Sequence, residues 1–223
     1  MAVNTEILIN TSYFKDLSDA DITAITGRVF EKKAGRGEIV SLEGEPAEVL
    51  YFVTSGVIKV YKTSAEGKEQ IYRIVRPGET FNDAAVLSHG TNLVTAEAMG
   101  PVELYGIKRP DMADIIAGYP DVARNTIILL SLQVQELVSL VEDFSFRHVT
   151  GRVAKMLLQY ADHNGDERPR LTQQEMAALI GTAREMVGRS LKNLEEDGII
   201  TMERSRIVIS DLEALKKLAG VDA

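Results

Sequence analysis

The chain of 223 residues contains no cysteine and no tryptophan, and only three histidines. Without thiols it can form no disulfide, no cysteine-ligated iron–sulfur cluster and no thiol redox switch. His89, His148 and His163 stand far apart in the chain. They do not form the His and Glu clusters that metal-dependent cupin enzymes carry on their strands. No phosphate loop and no paired catalytic motif is present, so catalysis is not expected. No apolar run approaches the length that crosses a bilayer, and residues 1–14 lack a basic leader before an apolar core. Neither a membrane span nor a signal peptide is expected, and the cytoplasm is the expected location. Positive charge is scarce as well, with a net charge of −8. Residues 1–144 hold 13 Lys and Arg against 21 Asp and Glu, which accounts for all of it, whereas residues 145–223 hold 12 of each. An acidic first part and a neutral second part predict weak non-specific affinity for nucleic acid.

What is present is concentrated in Leu171–Ile200, LTQQEMAALIGTAREMVGRSLKNLEEDGII. Thr172-Gln-Gln-Glu175 has the form of a capping box, and Thr182-Ala-Arg-Glu185 repeats it ten residues later. Gly181 between them is suited to ending a helix in the left-handed region. Met176, Leu179 and Ile180 give the first helix an apolar stripe, and Val187, Leu191 and Leu194 give one to the second. The pattern predicts a helix-turn-helix.

On the second helix Arg184, Glu185, Gly188, Arg189 and Lys192 fall within an arc of about 140°, beside the apolar stripe. A solvated face would also be charged. The paired helix starts and the arginines close to one of them favour a helix laid in a major groove. There arginine can take both guanine acceptors, glutamate can accept from cytosine N4 and lysine can reach phosphate. A regulatory module that binds protein instead would not need that arc.

This stretch resembles the DNA-binding motif of the CRP/FNR superfamily of bacterial transcription regulators. The run from Arg184-Glu185 through Val187-Gly188-Arg189 to Leu191-Lys192 and Leu194-Glu195 is closest to the CRP branch, because an arginine precedes the glutamate. The resemblance implies a palindromic double-stranded DNA site with TGTGA-like halves. Thr172, Gln173, Thr182, Arg184, Glu185, Arg189 and Lys192 are the expected DNA-binding residues. RNA polymerase is an expected partner if the protein activates.

The rest of the chain supports the resemblance. Thr11 to Phe30 reads as a short helical region. From Arg36 the period changes: Glu38–Leu42, Val49–Ser55, Val57–Tyr61, Gln70–Val75, Val94–Ala98 and Val102–Ile107 are short and rich in β-branched and aromatic residues. Turn signals such as Glu43-Gly-Glu-Pro46, Ser55-Gly56 and Arg76-Pro-Gly78 separate them. Such spacing predicts an antiparallel sandwich or barrel. EGEPAEVLYFVTSGVIKVYK followed by RPGETF resembles the cyclic-nucleotide-binding β-roll of the same superfamily.

Pro110–Ile116 predicts a short helix ended by Gly118. Pro120 then opens a stretch, Asp121 to Phe144, free of glycine and proline. Ile127, Leu130, Val134, Leu137, Val141 and Phe144 alternate by three and four, as a heptad seam does. Leu129, Leu132, Val138 and Leu140 widen the apolar surface beyond one stripe. The resemblance implies a parallel homodimer through this helix, with a hinge near Phe144–Phe146. His148 to Ala161 predicts a helix, Asp162–Pro169 a polar loop, Ile199–Thr201 and Arg206–Ile209 a wing around Arg204 and Ser205, and Asp211–Leu218 a last helix. The expected fold is α+β, with a β-roll over 1–119, a dimer helix over 120–144 and a winged helix-turn-helix over 145–223.

The effector pocket departs from the family pattern. A cyclic-nucleotide member carries a glycine–glutamate–leucine run that holds ribose, and an arginine–serine pair that takes the cyclic phosphate. Here the run is Phe81-Asn82-Asp83, with Asp83 in the glutamate's place. Leu93, or Asn92 if the alignment slips by one, stands in the arginine's place. No lysine or arginine lies between Arg76 and Lys108. The family's adenine-contacting threonine–serine pair matches Leu137-Val138. A phosphate buried without a cation is too costly to expect. The expected pocket, formed by Phe81, Asn82, Asp83, Leu93 and Val94 with Val134, Leu137 and Val138, is therefore assigned to an unidentified small molecule other than cyclic AMP. Haem, as in a gas sensor of the same fold, is the alternative, with His89 near the pocket as the candidate axial ligand.

Overall fold

The computed structural model describes residues 8, 9, 11–160, 171–203 and 206–221. Ala161, the whole polar loop Asp162–Pro169 with His163, and Arg204 and Ser205 lie outside the described residues. The chain divides into two compact units, one of residues 1–62 and 72–136, the other of residues 63–71 and 137–223.

In the first unit two four-stranded antiparallel sheets face each other. One has the order β1-β8-β3-β6, formed by β1 (Val29–Ala34), β8 (Val102–Lys108), β3 (Val49–Ser55) and β6 (Thr80–Phe81). The other has the order β2-β7-β4-β5, formed by β2 (Ile39–Ser41), β7 (Thr95–Ala98), β4 (Ile58–Thr63) and β5 (Glu69–Val75). Tyr51, Val53 and Leu104 from the first sheet meet Ile58, Val60, Ala96 and Ala98 from the second in one buried cluster. Leu50, Phe52 and Ile107 point the other way. They pack under the 3₁₀ turn Ser12–Phe14, helix α1 (Asp19–Thr26), helix α2 (Asp83–Leu87) and helix α3 (Arg109–Gly118). The first sheet is thus covered on both faces, which is why β3 reads as an unbroken apolar run, VLYFV, instead of alternating. Gly56 links β3 to β4 at φ +79°, and a Cβ there would lie 2.7 Å from Val102 Cγ1. Both the left-handed backbone and the close approach require glycine.

One local expectation is corrected. Thr11 to Phe30 is not one helical region: it is the 3₁₀ turn and α1, and Val29–Phe30 already belong to β1. That strand, VFEKKA, is half polar and only Ala34 in it is buried, so it shows no clear two-residue period. The pocket run contains a short strand and α2, neither visible from periodicity over so few residues.

Helix α4 (Pro120–Phe146) has 27 residues. Its residues 120–136 belong to the first unit and 137–146 to the second, which holds α5 (Val149–Tyr160), α6 (Gln173–Ile180), α7 (Arg184–Glu196), the antiparallel pair β9 (Ile200–Glu203) and β10 (Arg206–Ile209), and α8 (Leu212–Ala219). Val153, Leu157, Ala177, Ile180, Val187, Leu191, Leu194, Ile200 and Leu215 form its core. The fold is α+β: an antiparallel jelly roll, helices and a helix-turn-helix with a two-stranded wing.

Candidate nucleic-acid interface and the roll interior

Helix α6 begins with the expected capping box: Glu175 N–H donates to Thr172 Oγ1 at 3.2 Å, and Thr172 N–H donates to Glu175 Oε2 at 2.6 Å. Gln173 is the first residue of the helix. Gly181 ends α6 at φ +65°, and a Cβ there would lie 2.8 Å from the Phe144 ring.

The second capping box does not form. The N-cap of α7 is Ala183, with no side-chain cap bond. Both Gly181 and Thr182 send their N–H groups back to Ala177 O, so Thr182 is used in closing the turn and the helix starts one residue later. Glu185 is then the second residue of α7 and not the third. It is released from capping, and its carboxylate lies in the first turn, where the helix dipole favours it.

Val187, Leu191 and Leu194 are buried, while Arg184, Glu185, Arg189 and Lys192 are all exposed. The charged arc read from the sequence is therefore a real free face within this unit. Gly188 lies in that arc, and its hydrogen side looks toward Gln173 Oε1, 3.6 Å from where a Cβ would be. Lys192 Nζ sits 3.4 Å from Glu196 Oε1, an exposed pair that leaves the lysine available to phosphate. Two positioning contacts were not foreseen. Glu195 Oε1 accepts from Met202 N–H at 2.9 Å and ties the wing to α7. Ser190, buried on the inner face, meets Thr150 of α5 with 3.3 Å between their hydroxyl oxygens.

In the roll, Phe81 is buried and stacks on Tyr51 with ring centroids 5.1 Å apart. Val94 packs partly buried against the same cluster. Asn82 takes a left-handed conformation at the start of α2. Asp83 is only 3% exposed, and one of its carboxylate oxygens accepts both from Tyr13 Oη at 2.6 Å and from Thr80 Oγ1 at 2.7 Å. Burial, reinforced by the charge and hydrogen bond of Asp83, pushes the Tyr13 phenol far above its usual range. Leu93 is 58% exposed, whereas Asn92 is buried, donating to Leu42 O at 2.9 Å and holding the 42–45 turn. Asp83 is thus bonded inside the core, while Leu93 is exposed. Hydrogen-bonding demand explains the first, since Tyr13 and Thr80 are buried hydroxyls that need an acceptor.

Along α4, Ile127, Val134, Leu137, Val138, Val141 and Phe144 are exposed and Leu130 is partly buried. Leu129 packs on the roll core. His89 is exposed at φ +54° and His148 is exposed. Neither offers a buried imidazole, so the described residues do not fit haem.

The model of the cyclic nucleotide-binding domain matches residues 31–119, and that of the Crp-like helix-turn-helix domain matches residues 151–218. The cAMP-activated global transcriptional regulator CRP of Pasteurella multocida is 30% identical over 173 residues, covering 74% of this chain and 83% of that protein. This chain belongs to the CRP/FNR family of transcription regulators. It is a DNA-binding regulator, in a family without enzymatic activity. The CRP-like cAMP-activated global transcriptional regulator of Mycobacterium tuberculosis is 29% identical over 221 residues, covering 96% of this chain and 99% of that protein. The crystal structure of Thermus thermophilus catabolite activator protein is 26% identical with a TM-score of 0.56, covering 96% of this chain and all of that one. FixK2 from Bradyrhizobium japonicum, 23% identical, shares the fold with a TM-score of 0.78 over 87% of this chain and 99% of that one.

Proposed function

We propose that the protein is a cytoplasmic homodimer that reads a palindrome with TGTGA-like halves and answers to a small-molecule effector other than cyclic AMP. The observation that carries this is the free face of α7: Arg184, Glu185 and Arg189 are exposed in the first turns of a helix whose opposite side is buried. Those are the turns from which a recognition helix reaches base edges, while Lys192 serves phosphate. Thr172, Gln173 and Thr182 flank that face. The apolar stripe of α4 is the dimer seam, so residues 1–119, 120–144 and 145–223 act as sensor, dimer helix and reader.

The names of the Pasteurella and Mycobacterium relatives attach cyclic AMP to those proteins. In this chain no lysine or arginine stands between residues 76 and 108, and Asp83 is engaged inside the core. A cyclic phosphate would have no cation there. The effector shifts the protein between two arrangements of the recognition helices and acts only through its differential affinity for them. If the protein activates, RNA polymerase is its further partner. A gel shift with light scattering tests the reading. The expected species is two subunits on one duplex bearing paired TGTGA halves. A monomer, or equal binding to scrambled halves, contradicts it.

A further inference from the structure

The joint between α4 and α5 consists of two residues, Arg147 and His148, and carries a charge cluster to which the base contacts above assign no role. Asp143, in the last turn of α4, is 9% exposed. One carboxylate oxygen accepts from Arg147 Nε at 2.7 Å and the other from Lys155 Nζ of α5 at 2.6 Å. Lys155 also donates to Ser139 Oγ, one turn back on α4, at 2.8 Å. Arg147 reaches on to α8, where its guanidinium donates to Ala219 O and Gly220 O, the carbonyls that end that helix. Gly220 leaves the room this needs, since a Cβ there would lie 3.3 Å from Arg147 Cζ.

Arg152 of α5 closes the joint from the other side. It donates to Arg147 O at 2.9 Å, and its guanidinium lies 5.7 Å from the Phe144 ring centre. Each cation therefore sits on the carbonyl end of a helix or on the one carboxylate, where both charge and orphan acceptors favour it. The end of α4 is thus tied to α5 through Asp143 and to the end of α8 through Arg147.

We infer that Asp143 is the positioning residue that fixes the direction of the DNA-reading helices relative to the end of the dimer helix, and so sets the half-site spacing the protein accepts. The inference rests on the dimeric reading above. A hinge of two residues with ordinary exposed pairs would swing. Here the bonds are short, largely shielded from water and share one acceptor, and breaking one side leaves uncompensated charge. Simultaneous engagement of two half-sites multiplies affinity by about 10²–10⁴, and only when the geometry permits both. A loosened joint spreads that gain over several spacings.

The test uses the full chain with Asp143→Asn, which keeps the shape and loses the charge, and Lys155→Met, which removes the other partner. Affinity is measured for a single half-site and for palindromes with spacers lengthened or shortened by one base pair. The expected result is unchanged half-site affinity, about tenfold weaker binding at the optimal spacing and a flatter spacer profile. A variant whose profile matches wild type, or one that loses half-site affinity in equal measure, overturns the inference. The absence of native cysteine allows a second readout: spin labels at Glu142→Cys and Asp197→Cys within one subunit, diluted with unlabelled subunits. Their distance distribution should broaden in Asp143→Asn. An unchanged distribution overturns the positioning role even if the protein does not dimerise, whereas a wild type indifferent to spacing overturns the dimeric reading.

Discussion

Replacing Asp83 with alanine distinguishes an internal anchor from a ligand contact. The carboxylate is the acceptor for two hydroxyls, Tyr13 and Thr80, both buried. Each buried donor left without an acceptor costs about 1–3 kcal/mol. Part of that is offset, because a carboxylate no longer has to be held away from water. A net loss of about 2–4 kcal/mol follows. For a chain of this size that lowers the melting temperature by about 5–15 °C. Asp83→Asn retains an acceptor oxygen at the same place and should cost about 1 kcal/mol. Calorimetric melting of the three proteins without added ligand is the assay. An Asp83→Ala protein within about 1 kcal/mol of wild type would refute the anchor and return the carboxylate to the effector site.

Tyr13 gives a pH signature of the same anchor. Its phenol is held protonated above its usual range in the folded chain, first by burial and then by Asp83, whereas in the unfolded chain it ionises near pH 10. That contribution is complete below about pH 10 and declines by about 1.4 kcal/mol per pH unit as pH rises toward the folded value. Urea melts from pH 9 to 11 should show this decline, reduced by one proton's worth in Tyr13→Phe; an equal slope in both refutes it. Cyclic AMP should give no binding heat at micromolar concentration, since a missing phosphate partner costs about 3–5 kcal/mol; a micromolar dissociation constant by calorimetry would contradict that. Val134→Asp combined with Leu137→Asp should sediment as a monomer, because both charges would enter the seam; a dimer would place the interface elsewhere.

The elements with a complete local pattern were legible in the sequence. Thr172-Gln-Gln-Glu175 has its whole capping signal within four residues, and β3, β8 and α4 have runs long enough to show composition or period. What was hidden depends on tertiary partners. The two capping-box patterns look alike, yet Thr182 closes the turn onto Ala177 and only the first box forms. The bond between Asp83 and Tyr13 joins residues seventy apart in the chain and leaves no local signal. The cluster at Asp143 left one visible trace, the four-residue spacing to Arg147; Lys155, Ala219 and Gly220 join it only in the fold.

Site selection from random duplex DNA, run at one fixed salt concentration on wild type, Arg189→Ala and Lys192→Ala, tests the central claim most directly. Wild type should enrich a palindrome with TGTGA-like halves. Arg189→Ala should lose discrimination at one guanine in each half, a change of about 1–3 kcal/mol, with thermal stability nearly unchanged because the side chain is exposed. Lys192→Ala should bind every sequence more weakly without altering the preference, and its salt slope should fall by about one unit per subunit. An enriched site without paired halves, or an Arg189→Ala protein with the wild-type preference, would contradict the assignment of this helix face to base recognition.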